Sequence, residues 1–133
     1  NEGTVVLYNR KGESDVVLTS TNSKPDSSPM TILISRSTAS SAEVIAGAMQ
    51  DRNRAVVLGE KSYGKGTVQE ILNLFDGSQI EITVGKYRTP SGRVIDQVGI
   101  TPDLLVSDNE ALAKSIQVLG GLAAIEDKGQ VKK

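Results

Sequence analysis

The stretch 30–58, MTILISRSTASSAEVIAGAMQDRNRAVVL, contains two short apolar runs on either side of a segment with helical periodicity. The runs 30–35 and 55–58 have the length and composition of strands that are buried on both faces. Within 42–51, apolar residues recur at spacings of three and four, which predicts an amphipathic helix. The order of strand, helix and strand predicts a βαβ unit and an α/β fold, with a right-handed crossover if both strands belong to one parallel sheet.

Two hairpins are predicted outside this unit, each from two runs rich in β-branched residues that turn residues join. The paired runs are 4–8 with 15–19, and 67–74 with 79–87. The polar segment 20–29 is predicted to be an exposed loop. A last helix is predicted over 110–119, where Gly120 and Gly121 would end it, and 126–133 is predicted to be a flexible tail.

The composition excludes several classes of chemistry. The 133 residues include no His and no Cys, so the chain cannot build a Ser-His-Asp triad, a Cys-His dyad, a disulfide or a thiolate or imidazole zinc site. Acid–base catalysis would have to use Lys, Asp, Glu or Tyr. The 15 basic residues against 16 acidic ones leave a net charge of −1, which disfavours binding to a nucleic-acid backbone. No apolar run approaches the ~20 residues of a membrane span.

The segment 38–43, TASSAE, lies where the first buried strand is followed by the helix. A helix N-terminus collects unpaired N–H groups, which suits a nucleophile and part of an oxyanion site, so Ser40 is a candidate nucleophile. Ser40 and Glu43 also have the spacing of a capping box, in which each side chain accepts a backbone N–H of the other residue. Local sequence alone favours this structural interpretation.

The segment 59–67, GEKSYGKGT, follows the second buried strand. Its first seven residues fit the phosphate-binding loop G-x-x-x-x-G-K. However, Gly66 stands where that loop needs a hydroxyl for magnesium, and Thr67 begins a strand-like run where a helix should start. A nucleotide site is therefore disfavoured relative to a glycine turn with an exposed Lys65.

Ser40 and Lys65 together suggest a third interpretation. A lysine amine in a dry cleft can lose its proton, because burial lowers its pKa, and can then accept the proton of a serine hydroxyl. With no His in the chain, a Ser-Lys dyad is the acyl-transfer device that the composition permits. Spacing alone does not show that the two residues meet in space.

Five blocks of the sequence resemble the C-terminal processing (tail-specific) serine peptidases, and they occur in the same order. They are 38–51, 54–69, 76–78, 86–93 and 99–103. The resemblance extends over about 30–106, which is most of the chain. It implies a partial ClpP/crotonase-like core of stacked ββα units, with a mixed sheet and packed helices.

The resemblance also implies roles for individual residues. Ser40 would be the nucleophile, and Lys65, 25 residues later, the general base. Gln69, four residues beyond the lysine, would orient the amine, and in a regular strand it would share a face with Lys65. Glu43 matches an acidic accessory residue, and the backbone N–H of Ser41 would bind the oxyanion. Ser41 competes with Ser40 as nucleophile, but the spacing to the glutamate and the lysine favours Ser40.

A domain organisation follows from the same resemblance. Residues 1–125 would form part of a peptidase catalytic domain, made of N-terminal strands with a polar linker (1–29), a catalytic core (30–106) and a C-terminal helix (107–125). Neither the PDZ domain of relatives nor their R-x-N-x-G-G segment, which supplies an oxyanion N–H, is expected before Thr38. The chain alone is expected to have low or no activity, because losing one oxyanion donor costs roughly 100- to 1,000-fold in kcat.

The expected function is that of a Ser-Lys endopeptidase that cleaves proteins near their C-termini, with protein or peptide C-termini as partners and no metal or cofactor. The resemblance implies an extracytoplasmic location, in the periplasm, the cell envelope or a thylakoid lumen. The rival function is a binding or scaffold module in which Ser40 is only a helix cap, and in which apolar surface left by absent strands favours self-association. Nucleotide binding is the third alternative.

Overall fold

The computed structural model describes residues 3–21, 24 and 26–130. Two sheets are formed in this part of the chain, one with the strand order β3-β4-β7 and the other with the order β2-β1-β6-β5. This combination of sheets and helices confirms the predicted α/β class. The elements are β1 (Thr4–Arg10), β2 (Val16–Thr19), β3 (Thr31–Ile34), α1 (Ser41–Asp51), β4 (Val56–Gly59), β5 (Thr67–Asn73), β6 (Gln79–Arg88), β7 (Leu104–Leu105) and α2 (Asp108–Gln130).

The predicted βαβ unit is present in the three-stranded sheet. β3 and β4 pair in parallel, with Ile32 opposite Val57, and α1 connects them. β4 is the central strand, and its Val57 and Leu58 are fully buried. β7 pairs in parallel with the other side of β4. The sequence analysis missed β7, because two residues are too few to show any periodicity.

Burial of the first apolar run was predicted incorrectly. β3 is an edge strand, and Leu33 is 42% exposed whereas Ile34 is buried. Similarly, Ile45 on α1 is 55% exposed, and the small residues Ala46 and Ala48 form part of the buried face of the helix. An apolar pattern shows that a side chain can be buried, but the neighbouring elements decide whether it is.

Both predicted hairpins are present, and they join edge to edge. β1 pairs antiparallel with β2, and β5 pairs antiparallel with β6. β1 and β6 then pair with each other, which places Tyr8 opposite Tyr87 with the ring centroids 6.3 Å apart in an edge-to-face arrangement. The hydrophobic core lies between α1, β3, β4 and the segment after β6, and consists of Ile34, Ala46, Val57, Ile95 and Ile100.

The last residue of α1 ties the helix to the turn after β6. Asp51 accepts a hydrogen bond from the Ser91 N–H at 2.8 Å and forms an ion pair with Arg93, and its side chain is only 8% exposed. Burial raises the pKa of the Asp51 carboxyl, but hydrogen bonds from Thr89, Ser91 and Arg93 outweigh this effect and hold the pKa below its usual value. The ionised carboxylate therefore stabilises the fold.

Asp51→Asn is expected to lower the free energy of unfolding of this chain by about 1–2 kcal/mol at neutral pH, because the amide cannot make the same charged hydrogen bonds. The pKa is lower in the folded than in the unfolded state, so this stabilisation is present above the unfolded value of about 3.9 and is lost as the pH falls through the folded value. Urea denaturation near neutral pH and near pH 3 measures the difference. A difference between wild type and variant that stays constant in acid would contradict the prediction.

The C-terminal helix departs from the prediction. α2 starts at Asp108 and continues through Gly120 and Gly121 to Gln130, so the predicted end at the two glycines is wrong. Neither glycine has the positive φ of a C-terminal cap. Residues 126–130, predicted as part of a flexible tail, belong to the helix, and the rest of that tail lies outside the described residues.

The segment 20–29 contains no helix or strand where it is described, as predicted for a loop, but residues 22, 23 and 25 lie outside the described part. Among the described residues, no helix combines the length and the apolar character that crossing a bilayer requires. The division of the chain at residues 29, 106 and 125 stays a prediction.

Candidate active site

Ser40 occupies a strained turn between β3 and α1. It is the N-cap residue of α1, with φ 56° and ψ −124°. A residue with a Cβ rarely adopts a positive φ, and holding one there costs about 1–3 kcal/mol. The α/β-hydrolases expose a nucleophilic serine on a strained turn from strand to helix of this kind. Ser41 does not share this strain, so the backbone distinguishes the two candidate serines.

Ser40→Gly is expected to be more stable than Ser40→Ala by about 1–2 kcal/mol, because glycine adopts a positive φ without a steric penalty and is the better N-cap. Both variants lack the hydroxyl, so the difference between their stabilities reports the effect of the residue on the backbone at this position. Chemical denaturation of the two variants of this chain measures the difference. Equal stabilities would show that the turn at Ser40 stores no strain.

Lys65 lies in the loop between β4 and β5, and glycines on both sides fix the path of this loop. Gly64 has φ 93°. A Cβ on Gly66 would lie 2.2 Å from the backbone nitrogen of Asp96, so only glycine allows the two backbones to pass this closely. The glycines therefore serve to seat the loop against 95–100, in addition to forming a turn.

Glu43 joins this loop to the start of α1. Its side chain is fully buried, and no cation is paired with it in the described part of the chain. Instead the carboxylate accepts four hydrogen bonds, two on each oxygen. The donors are the N–H groups of Ser40 (2.9 Å) and Lys65 (2.8 Å) on Oε2, and the Gly64 N–H (2.7 Å) and the Ser62 hydroxyl (2.5 Å) on Oε1.

The shared oxygen brings the backbones of Ser40 and Lys65 together. Because both N–H groups donate to Oε2 of Glu43, the two backbone nitrogens lie no more than two hydrogen-bond lengths apart. The half of the capping box in which Glu43 bonds back to the Ser40 N–H is therefore present. Glu43 does more than cap the helix, however, since three of its four bonds go to the lysine loop.

The side chains of Ser40 and Lys65 are not joined in the way that their backbones are. The Lys65 side chain is exposed, and in the described part of the chain it forms no hydrogen bond with the Ser40 hydroxyl. Ser41 is exposed at the first position of α1, where its N–H has no acceptor within the helix. The structure thus brings the backbones of Ser40 and Lys65 together and leaves the Lys65 side chain exposed.

Gln69 is exposed on β5, and the shared face with Lys65 stays a prediction. Lys65 lies before the first residue of β5, and the pairing of β5 with β6 is irregular between Val68 and Gln69. The extra residue of this irregularity, Val84, lies on β6, so β5 itself is not interrupted, but Lys65 precedes β5 and lies outside its alternation. The proposed role of Gln69 rests on the resemblance alone.

The loop around Lys65 also bears on the nucleotide alternative. It leads into a strand rather than a helix, as its sequence predicts. The N–H groups of Gly64 and Lys65, which a phosphate would need, already donate to the Glu43 carboxylate. A carboxylate in that position would repel a phosphate, so the geometry disfavours this alternative. The described residues contain no group of three or more acidic side chains placed to hold a metal ion.

Ser62 belongs to this site, although the sequence analysis did not single it out. It is 7% exposed, and its hydroxyl lies between the Glu43 carboxylate and the N–H of Ile100. Nothing in the local sequence distinguishes it from an exposed turn serine, because both partners are distant along the chain.

The curated proteins that resemble this chain include two chloroplastic processing peptidases. The chloroplastic C-terminal processing peptidase of Tetradesmus obliquus is 37% identical over 124 residues, which are 90% of this chain and 26% of the relative. The chloroplastic carboxyl-terminal-processing peptidase 2 of Arabidopsis thaliana is 42% identical over 100 residues, which are 74% of this chain and 19% of the relative. The chain thus spans about a quarter or less of the length of these relatives.

Solved structures agree with the fold. A photosystem II D1 C-terminal processing protease superimposes with a TM-score of 0.73 at 36% identity, over 80% of this chain and 28% of that chain. A lipoprotein from Streptococcus agalactiae has a TM-score of 0.74 at 24% identity, over 89% of this chain and 45% of that chain, and bears on the fold alone. The expected ClpP/crotonase-like α/β core is confirmed by these matches.

The model of peptidase family S41 matches residues 1–106, which include the Ser40 turn, the Glu43 carboxylate and the Lys65 loop. The resemblance stated from the sequence is therefore confirmed by the family model, by the curated relatives and by the solved structures. This chain belongs to peptidase family S41.

Proposed function

We propose that this chain carries the Ser-Lys dyad of a serine endopeptidase that cleaves proteins near their C-termini. The observation that supports this most strongly is the Glu43 carboxylate, one oxygen of which binds the backbone N–H groups of both Ser40 and Lys65. A residue that only capped α1 would have no reason to bind the lysine loop as well. The strained backbone at Ser40 adds support, since such strain is concentrated at functional sites.

In the proposed mechanism, the Ser40 hydroxyl oxygen attacks the scissile carbonyl carbon, and the neutral Lys65 amine accepts the hydroxyl proton. The Ser41 N–H donates to the oxyanion that forms. The lysine then returns the proton to the leaving amine, which departs and leaves an acyl ester on Ser40. Water hydrolyses this ester with the lysine again acting as base. Gln69 orients the lysine amine, and no metal or cofactor takes part.

We further propose that this chain has low or no activity by itself. The Lys65 side chain is exposed, and a cover that excludes water would favour the neutral amine that the mechanism requires. A substrate and a further part of the protein are proposed to provide that cover. The proposed location is extracytoplasmic, in the periplasm, cell envelope or thylakoid lumen, which fits the chloroplastic relatives.

The test of this function is hydrolysis by the whole protein of an unfolded polypeptide with a free C-terminal carboxylate, followed by mass spectrometry. We expect discrete cleavages near the C-terminus and slower cleavage of the same polypeptide with an amidated C-terminus. Absence of cleavage, together with self-association through apolar side chains such as the fully exposed Phe75, would favour the scaffold alternative. Magnesium-dependent binding of ATP would favour the nucleotide alternative.

A further inference from the structure

We infer that Ser62 is a positioning residue of the proposed dyad, because its hydroxyl holds the Glu43 carboxylate to which nucleophile and base are bound through their backbones. The inference rests on the proposed function. Ser62 lies three residues before Lys65 but points away from it, into the protein, where it is 7% exposed. It is proposed to act through Glu43 and not on the substrate.

The hydrogen bonds of Ser62 have a single consistent direction. The N–H of Ile100 can only donate, so the Ser62 oxygen accepts from it at 2.6 Å. An ionised carboxylate can only accept, so the hydroxyl proton is directed to Oε1 of Glu43 at 2.5 Å. The hydroxyl therefore cannot rotate without breaking one of two buried bonds.

The position of Ser62 is itself fixed by the segment after β6. Its N–H donates to the Ile100 carbonyl at 3.0 Å, and two residues later the Gly64 carbonyl accepts from Gln97 at 2.8 Å. The lysine loop is thus anchored to 95–100 by backbone bonds. The Ser62 hydroxyl donates to Glu43, and Glu43 accepts the Ser40 N–H at the start of α1, so these bonds connect the segment 95–100 to the start of the helix.

Removal of the hydroxyl has a specific consequence at the carboxylate. In Ser62→Ala, Oε1 of Glu43 keeps only the Gly64 N–H, and the N–H of Ile100 loses its acceptor. The carboxylate then keeps three of its four hydrogen bonds and is held less firmly, so its other oxygen holds the proposed nucleophile and base at a less constant separation. A misplacement of about 1 Å is enough to cost roughly 100-fold in rate.

The first arm of the test is kinetic and uses the whole protein. Ser62→Ala is expected to lower kcat roughly 100-fold and to leave KM unchanged, since the substrate does not touch Ser62. The matched control is Ser115→Ala, which removes another buried serine hydroxyl, bonded to Thr31 at 2.7 Å on the far side of β3. Its kcat is expected to equal that of wild type, although it also loses a buried hydrogen bond.

The second arm measures hydrogen exchange of backbone amides in this chain, without any substrate. Ser62→Ala is expected to speed exchange at Gly64 and Lys65 by roughly tenfold or more relative to Ser115→Ala. Equal kcat values, or equal exchange rates, in Ser62→Ala and Ser115→Ala would overturn the positioning role. Cleavage by the wild-type protein would leave the proposed function intact in that case. A wild-type protein that cleaves no peptide would overturn the proposed function, and the positioning role with it.

Discussion

Ser40→Ala in the whole protein is expected to lower kcat by roughly 10⁴-fold or more, whereas Ser41→Ala is expected to stay close to wild type. The first change removes the oxygen that is proposed to attack the scissile carbonyl. The second removes a side chain but leaves the backbone N–H that would bind the oxyanion. Steady-state hydrolysis of a peptide, measured for both variants in parallel, gives the comparison.

Lys65→Ala is the companion to Ser40→Ala, since a serine hydroxyl is a weak nucleophile without a base beside it. We expect Ser40→Ala and Lys65→Ala to lower kcat by similar factors. The double variant should lose little more, because the effects of residues that act as a unit are not additive. Circular dichroism of each variant controls for folding. If Ser41→Ala lost activity and Ser40→Ala retained it, the nucleophile would be Ser41 and the proposed assignment to Ser40 would be wrong.

Glu43→Ala is expected to lower the free energy of unfolding of this chain by about 3–5 kcal/mol, because it removes the acceptor of four hydrogen bonds and leaves a cavity. The Ser62 hydroxyl and three backbone N–H groups would lose their partner inside the protein. A loss of this size is a large fraction of the stability of a small domain. Denaturation in urea measures it.

Glu43→Gln changes the hydrogen bonds of the side chain but keeps its volume, so it measures the contribution of the hydrogen bonds to stability without a cavity. The amide keeps the shape, but its NH₂ group places donors against the donors that the carboxylate satisfies, so we expect a loss of about 2 kcal/mol or more. The matched control is Glu70→Gln, which removes an exposed ion pair with Arg10 and should cost about 1 kcal/mol or less. Similar losses in the two Gln variants would contradict the role assigned to the buried carboxylate.

The strands other than β7 and the first helix could be predicted from the sequence because their patterns are local. β-Branched runs and turn residues identified both hairpins, and the change of period after Ser35 identified α1. The end of α2 could not be predicted in this way. Two glycines cost about 1 kcal/mol each in a helix, and packing against the sheet, including the Ser115–Thr31 bond, stabilises the helix that contains them.

Burial could be predicted only in part. Leu33 and Ile45 fit an apolar pattern but are exposed, whereas Glu43 is charged and fully buried. A charged residue is almost never buried without partners, and three of the four partners of Glu43 come from a loop about twenty residues away. Periodicity contains no information on such a distant contact.

The sequence by itself determined the chemistry that is available and the family. The absence of His and Cys left serine and lysine for acyl transfer, and the order of short motifs identified the peptidases, because residue types and spacings are properties of the chain. Only the tertiary structure decided that Ser40 is strained, that Lys65 lies outside β5, and that Glu43 and Ser62 join the backbones of Ser40 and Lys65. These features depend on hydrogen bonds and close backbone approaches between segments that meet only when the chain folds.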